Sequence, residues 1–267
     1  MAFKKSNYRS SKFNKKRRNI FYINIAVALI ILSAIIYGLV YFSSHKSHRV
    51  EEIKIEGNVF VNSDEIRGIA ESEIDGNYLF LFSKRSSLLI PRDKIEDSII
   101  EKYTSIKDVD VKFGNLHTIE IYIEEYEPVA KWCNDRCFLM NNLGLIFLER
   151  PNNFKESLIT FNDFIEGDPI GSTYISEKKF KNLLNFIDDI KEFGFTIEKV
   201  WKDTEFGTLV LRSENGVIIH LDQEDNMKDS LYNLKEAIKQ DGLNDAQLSN
   251  IEYINLRVDG QVIYRLR

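Results

Sequence analysis

The chain has 267 residues, 43% apolar and 29% charged, so it can bury one large or two small cores and is not disordered in bulk. Two cysteines exclude a disulfide-dense scaffold and a cysteine-rich zinc module, and four prolines with 13 glycines exclude collagen-like sequence. The net charge of −5 averages two unlike parts: residues 1–49 carry ten Lys/Arg and no acid, whereas the other 26 Lys/Arg and all 41 acids fall in residues 50–267, a net of −15.

From Ile20 to Phe42 the sequence runs 23 residues without a charge. As a helix it would be about 34 Å long, enough to cross a hydrocarbon core of about 30 Å. Tyr22 and Tyr41 stand near its ends, where aromatic rings favour the headgroup level. A cleaved signal peptide would have a shorter apolar run and a small-x-small site, and the residues after Phe42, SSHKSHRV, lack one. The expectation is a retained anchor with residues 1–19 as a basic cytoplasmic arm, because Lys4, Lys5, Arg9, Lys12, Lys15, Lys16, Arg17 and Arg18 all precede it. Topology and contact with anionic lipid account for that arm without nucleic acid. Residues 43–49 read as a linker.

Residues 50–126 read as one module. Val50, Ile53 and Ile55 alternate as a strand, stopped at Gly57-Asn58. Asn62 with Glu65 has the spacing of a capping box, opening a helix with Ile66, Ile69 and Ala70 on one face. Asp75-Gly76-Asn77 breaks the chain. Pro91 precedes a second helix, on which Ile95, Ile99 and Tyr103 recur every fourth residue. Two alternating runs follow, Val109/Val111/Phe113 and Ile119/Ile121/Ile123, with a turn marked by Gly114-Asn115. The order β-α-α-β-β is satisfied by a three-stranded sheet covered on one face by two helices.

Residues 127–267 open with short strands near Lys131–Cys133, Cys137–Asn141 and Leu145–Leu148. A helix over Ser176–Phe193 presents Phe180, Leu183, Leu184, Ile187 and Ile190 on one face and ends at Gly194. Strands follow near Ile197–Lys202, Gly207–Arg212 and Val217–Leu221. Asp225 reads as the cap of another helix, with Met227, Leu231, Leu234 and Ile238 on one face and Gly242 as its stop. Asp259-Gly260 predicts a tight hairpin between Ile251–Val258 and Gln261–Leu266. The fold class is therefore α+β: one N-terminal transmembrane helix, a β-α-α-β-β module, then a mostly antiparallel β domain with two helices.

Signatures of catalysis are sparse. The sequence has no phosphate-cradling glycine loop, no His-Glu-x-x-His and no Gly-x-Ser-x-Gly. His45 and His48 read as linker residues, and His117 and His220 as exposed strand positions. Glu124, Glu125 and Glu127 read as a solvated face rather than a carboxylate pair across a cleft. The expectation is no enzyme, no cofactor, no metal and no small-molecule substrate. Cys133 and Cys137 lie four apart around a turn, where opposed hairpin strands could bring them to bonding distance; free thiols and a metal site are the competing readings.

Taken together these segments resemble the FtsQ/DivIB family of bacterial division proteins. Val50–Asn58 (VEEIKIEGN) followed by Asn62–Ile66 (NSDEI) is similar to the opening of a POTRA module. Glu124–Ala130 (EEYEPVA) is similar to the family's junction between modules, and Phe138–Phe147 (FLMNNLGLIF) to its first β hairpin. Tyr253–Arg257 (YINLR) is similar to its near-terminal strand, with asparagine at 255 where aspartate is common. The resemblance implies a non-enzymatic, single-pass scaffold of the division septum, with residues 50–126 as the POTRA domain and 127–267 as the FtsQ-type β domain. It implies FtsB/FtsL (DivIC/FtsL)-type coiled-coil partners outside the membrane and a role in regulating septal peptidoglycan synthesis. A strand at the end of the chain offers an edge for β-augmentation, so partner binding is expected at Arg257, Val258, Gly260, Tyr264 and Arg265. The competing reading makes Arg257 a structural brace and Tyr264 a core residue. Competing functions are a POTRA-bearing envelope secretion adaptor and a membrane-anchored cell-wall hydrolase or transferase.

Overall fold

The computed structural model describes residues 11–44, 49–79, 81–87, 89–203, 205–222, 227–241, 245–248, 250–258 and 260–267. His45, His48, the expected cap Asp225, the expected stop Gly242 and the turn residue Asp259 lie outside the described residues. Helix α1 spans Ser11–Ser44, so the helix begins well inside the expected basic arm and the charges at 12–18 ride on its first turns. Its stretch Arg17–Tyr41 is long and apolar enough to cross a membrane. Its apolar side chains are exposed around the helix, from Ile36 at 41% to Tyr37 at 74%. A helix hydrophobic all round and exposed along almost all of its apolar length fits a single-pass anchor in lipid.

Beyond α1 the chain divides into two compact units: residues up to 100 with 109–123, and residues 101–108 with 124–267. The division differs from an expected boundary at 126–127 because the strand ends 105–107 and 124–126 are tied together. The Tyr126 amide donates to the Ser105 carbonyl at 2.9 Å, and Lys107 pairs with Glu124 at 2.5 Å.

The first unit contains β1 (Glu52–Glu56), α2 (Ser63–Ile74), the small strands β2 (Asn77–Tyr78) and β3 (Phe82–Ser83), and α3 (Arg92–Lys102). β4 (Ile106–Asn115) and β5 (Thr118–Glu125) complete a three-stranded sheet in the order β1-β5-β4, with β1 parallel to β5. Gly57 ends β1 at φ +90°, where a Cβ would sit 2.2 Å from the Ile123 carbonyl oxygen, so only glycine fits. Asn62 caps α2 by accepting from the Asp64 amide at 2.8 Å, one residue earlier than the capping-box geometry predicts. Ile66, Ala70, Ile74, Ile95 and Ile99 bury against Val109, Val111, Ile119, Ile121 and Ile123. Phe113, expected on the same face as Val109 and Val111, is 43% exposed near the end of its strand. β2 and β3 form a separate two-stranded hairpin where Asp75-Gly76-Asn77 alone predicts a break.

The second unit is one nine-stranded sheet. Its strands are β6 (Ala130–Cys133), β7 (Cys137–Met140), β8 (Ile146–Glu149), β9 (Ile159–Asn162), β10 (Ile197–Asp203), β11 (Thr208–Ser213), β12 (Ile218–Asp222), β13 (Ile251–Asn255) and β14 (Ile263–Leu266). The order is β14-β13-β12-β11-β10-β9-β6-β7-β8, and five of the eight pairings are antiparallel. The parallel pairings flank β9 and join β12 to β13. Helix α4 (Glu177–Asp189) continues as a 3-10 turn over Ile190–Phe193 and stops at Gly194, φ +79°. Helix α5 (Met227–Gln240) and the short α6 (Asp245–Leu248) complete the unit. One face of the sheet meets α4 and α5 in a single core. Phe161, Phe180, Leu183, Phe186, Val200, Leu211, Ile219, Leu234 and Ile254 are all buried there. Phe161 is central to it, with its ring 5.0 Å from Tyr174 and 5.3 Å from Phe180.

Cys133 and Cys137 stand directly opposite each other in the β6–β7 register and are joined as a disulfide. Lys202 pairs with Asp163 and donates to the Tyr174 carbonyl at 3.1 Å, closing the back of the Phe161 cluster. Burial raises the Tyr174 hydroxyl pKa, and the Asp163 charge adds to it.

Candidate partner-docking rim

A sheet has two rims, and each exposes alternate backbone N–H and C=O groups unless something covers them. At the β8 rim the chain pairs with the first residue of the strand and with the turn before it. The Ile146 amide donates to the Ser172 carbonyl at 2.9 Å, Gly171 donates back to Ile146 at 2.8 Å, and Tyr174 donates to Gly144 at 3.0 Å. Gly144 is held at φ +80°, with its missing Cβ 2.9 Å from the Phe180 ring. At the other rim, β14 pairs with β13 on one side, and no described segment pairs with its outer side.

The hairpin that builds this rim differs from the expected two-residue turn. β13 ends at Asn255 and β14 starts at Ile263, leaving a seven-residue connection, 256–262. The Leu256 amide donates to the His220 carbonyl at 2.9 Å and its side chain is buried, so the chain stays alongside β12 one residue beyond its last pairing with β14. Arg257, Val258 and Gly260 therefore lie in the connection rather than on a strand. The Arg257 amide and Nε both donate to Asn255 Oδ1, at 3.1 and 3.0 Å, and its guanidinium lies 5.7 Å from the Phe206 ring. Val258 is 41% exposed, and Gly260 adopts φ +68°.

Tyr264 points to the helix side. Its ring packs against the core and its hydroxyl donates to Asp241 Oδ2 at 2.8 Å, which raises the phenol's pKa. Arg265 points to the opposite face and holds Glu252 through two hydrogen bonds at 2.5 and 2.6 Å, over the Tyr253 ring at 5.1 Å. That bond holds the Glu252 carboxyl below its ordinary pKa and raises the Arg265 guanidinium. The Arg267 side chain donates to the Asn215 carbonyl at 2.8 Å, and its amide to Asn250 at 2.9 Å. Of the expected partner-binding residues, Arg257, Tyr264 and Arg265 are thus drawn into the hairpin's own bracing, whereas Val258 stays exposed, as do Ile263 and Leu266, each 40–42%.

Beside the rim lies an open cleft of about 580 Å³ between α5 and the β13–β14 connection, lined among others by Tyr232, Glu236, Asp241, Gln261 and Ile263. Tyr232 is 64% exposed. Sequence reasoning missed it, although the signal was present: an aromatic residue off the Met227–Leu231–Leu234–Ile238 stripe of an amphipathic helix.

Among the described residues no group of three or more His, Cys, Asp and Glu could hold a metal ion. His117 is exposed, with Nδ1 3.1 Å from the Arg49 carbonyl. His220, expected to be exposed, is half-buried in the middle of the sheet; desolvation and the Arg257 charge lower its pKa.

Residues 48–126 match the family model described as a POTRA domain of FtsQ type. No curated protein matches the chain.

Proposed function

Starting from an FtsQ/DivIB-family protein, which the FtsQ-type POTRA domain at residues 48–126 supports, we propose that the chain is a non-enzymatic scaffold of the divisome. It is held by α1 with its N-terminus in the cytoplasm and acts outside the membrane at the division septum. It docks FtsB/FtsL (DivIC/FtsL)-type coiled-coil partners and so helps to regulate septal peptidoglycan synthesis. One observation carries the docking reading: of the two rims of the nine-stranded sheet, the chain's own backbone pairs with the start of β8 at Ile146, and no described segment pairs with the outer side of β14.

The partner segment adds as a tenth strand along β14. Main-chain hydrogen bonds supply affinity, and flanking side chains choose the partner. Ile263 and Leu266 meet it along the strand, Val258 and Gly260 at the connection, and Tyr232 across the cleft. Tyr264 contributes its backbone, because its ring and hydroxyl are engaged with the core and Asp241. Arg257 and Arg265 hold the hairpin in shape and bring positive charge that steers an acidic segment.

The test is a pull-down of the full chain with the outer segment of its FtsB- or DivIC-type partner. Ile263→Lys and Tyr232→Ala should each lower affinity at least tenfold without moving the thermal unfolding midpoint. Phe164→Ala, on a loop residue 79% exposed, should change nothing. Unchanged binding in both rim variants would remove β14 as the docking site. A fluorescent fusion that spreads evenly over the membrane, with no midcell band, would count against the division role itself.

A further inference from the structure

The sequence has five apolar residues in a row at 78–82, and the strands β2 and β3 at its two ends pair apart from the main sheets. Leu79 is 80% exposed and Leu81 48% exposed. Leu79 also has φ +49°, a left-handed conformation that glycine or asparagine adopts at much lower cost. A large apolar side chain that is both solvated and strained at a turn asks for a reason.

The hairpin's position supplies one. β3 lies against α1, whose residue Val40 is half-buried near the end of the apolar span. Arg49 bridges to Ser86, and the Val50 amide donates to the Arg85 carbonyl at 2.9 Å. Only five residue steps separate Ser44, the last residue of α1, from Arg49, a reach of at most about 18 Å. The strip around the hairpin is cationic, with Arg49, Lys84 and Arg85. Lys84 sits 5.9 Å over the Tyr78 ring, and Arg85 is opposed by Asp75 at 3.6 Å. Apolar tips flanked by an aromatic ring and basic side chains match the chemistry of a bilayer interface, where chains meet anionic headgroups.

We propose that the β2–β3 hairpin is a second membrane contact: Leu79 and Leu81 sit at the headgroup–acyl boundary of the bilayer that α1 spans, with Lys84 and Arg49 at its phosphates. The contact fixes the tilt of the first unit over the membrane, which a single helix on a short tether leaves free. It rests on reading α1 as an anchor.

The experiment uses the full chain in vesicles of three parts phosphatidylcholine to one part phosphatidylglycerol. Because Cys133 and Cys137 are bonded to each other, Leu79→Cys provides one reactive thiol for a nitrobenzoxadiazole label. Val59→Cys, 78% exposed beyond the far end of β1, provides the matched control. The label at 79 should be quenched by lipid nitroxides placed near the headgroup, and its quenching constant with aqueous iodide should be at least threefold below that at 59. Equal iodide access at the two positions would overturn the proposal. Shielding at 79 from both iodide and lipid nitroxide would also overturn it, in favour of a protein covering the loop. Retention of the chain in the vesicles after an alkaline wash reports on α1 independently, so failure of the anchor and failure of the hairpin contact give different results.

Discussion

The two rims of the nine-stranded sheet solve the same problem differently. At β8, residues Gly171–Tyr174 fold back and take up the amide and carbonyl of Ile146 and the carbonyl of Gly144. At β14 the backbone of the described residues is left open, beside an exposed tyrosine and a cleft. An open edge is an aggregation hazard, and the proposed docking of a partner strand would remove it at β14. Between the rims the core is continuous, and the difference between them lies in a few loop residues.

Four measurements break or sharpen this comparison. The largest effect belongs to neither rim. Phe161→Ala, at the centre of the core, should cost about 3–5 kcal/mol by urea unfolding, whereas Ile263→Ala on the open rim should cost under about 0.5 kcal/mol. If the rim variant proved as costly as the central one, β14 would be core rather than a free edge. Next, Gly144→Ala should strip the sealed rim. The new methyl meets Phe180 at 2.9 Å and the residue has φ +80°, so a loss of about 3 kcal/mol is expected, with faster amide exchange at Ile146 and Tyr174. Exchange at β14 should not follow. Replacing both Cys133 and Cys137 by serine releases a small loop in the neighbouring hairpin and should cost about 2 kcal/mol on the loop-entropy estimate, read as a lower midpoint under non-reducing conditions.

The smallest effect is a pH slope from His220, behind the open rim. Its folded pKa lies below the ordinary value of about 6.5, so the unfolded chain binds its proton first. The associated stability is complete above about pH 6.5 and is lost as pH falls through the lowered folded value. His220→Gln should flatten this part of the stability profile between about pH 7 and pH 5. A slope that persists unchanged in the variant would assign it to other groups.

How much of this was legible depends on the length of the signal. The anchor, α4 and α5 were readable because periodicity over a dozen or more residues outweighs local accident. β9 was invisible: Ile-Thr-Phe-Asn is too short to show a period, and it is a strand because β6 and β10 lie on either side of it. β2 and β3, two residues each, are hidden for the same reason. The hairpin at the open rim was legible as a hairpin, but its turn was not. Asp259-Gly260 marks a local preference, while the β13–β14 ladder ends at Asn255 and Leu256 stays bonded to β12 with its side chain buried.

The candidate site divides in the same way. The residue types came from the sequence, since Arg257, Tyr264 and Arg265 could be picked out without coordinates. Their present roles come from neighbours distant in the chain: Phe206 and Asn255 for Arg257, Asp241 for Tyr264, Glu252 for Arg265. By itself the sequence determined which stretches are lipid-compatible, which are amphipathic, and that the charge changes sign across the anchor, because composition and period are local properties. Only the tertiary structure decided which of two edges stays open and which side chains are left to meet a partner. Those outcomes depend on which hydrogen-bonding groups remain unpaired after every other pairing has been made, and no local stretch of chain contains that information.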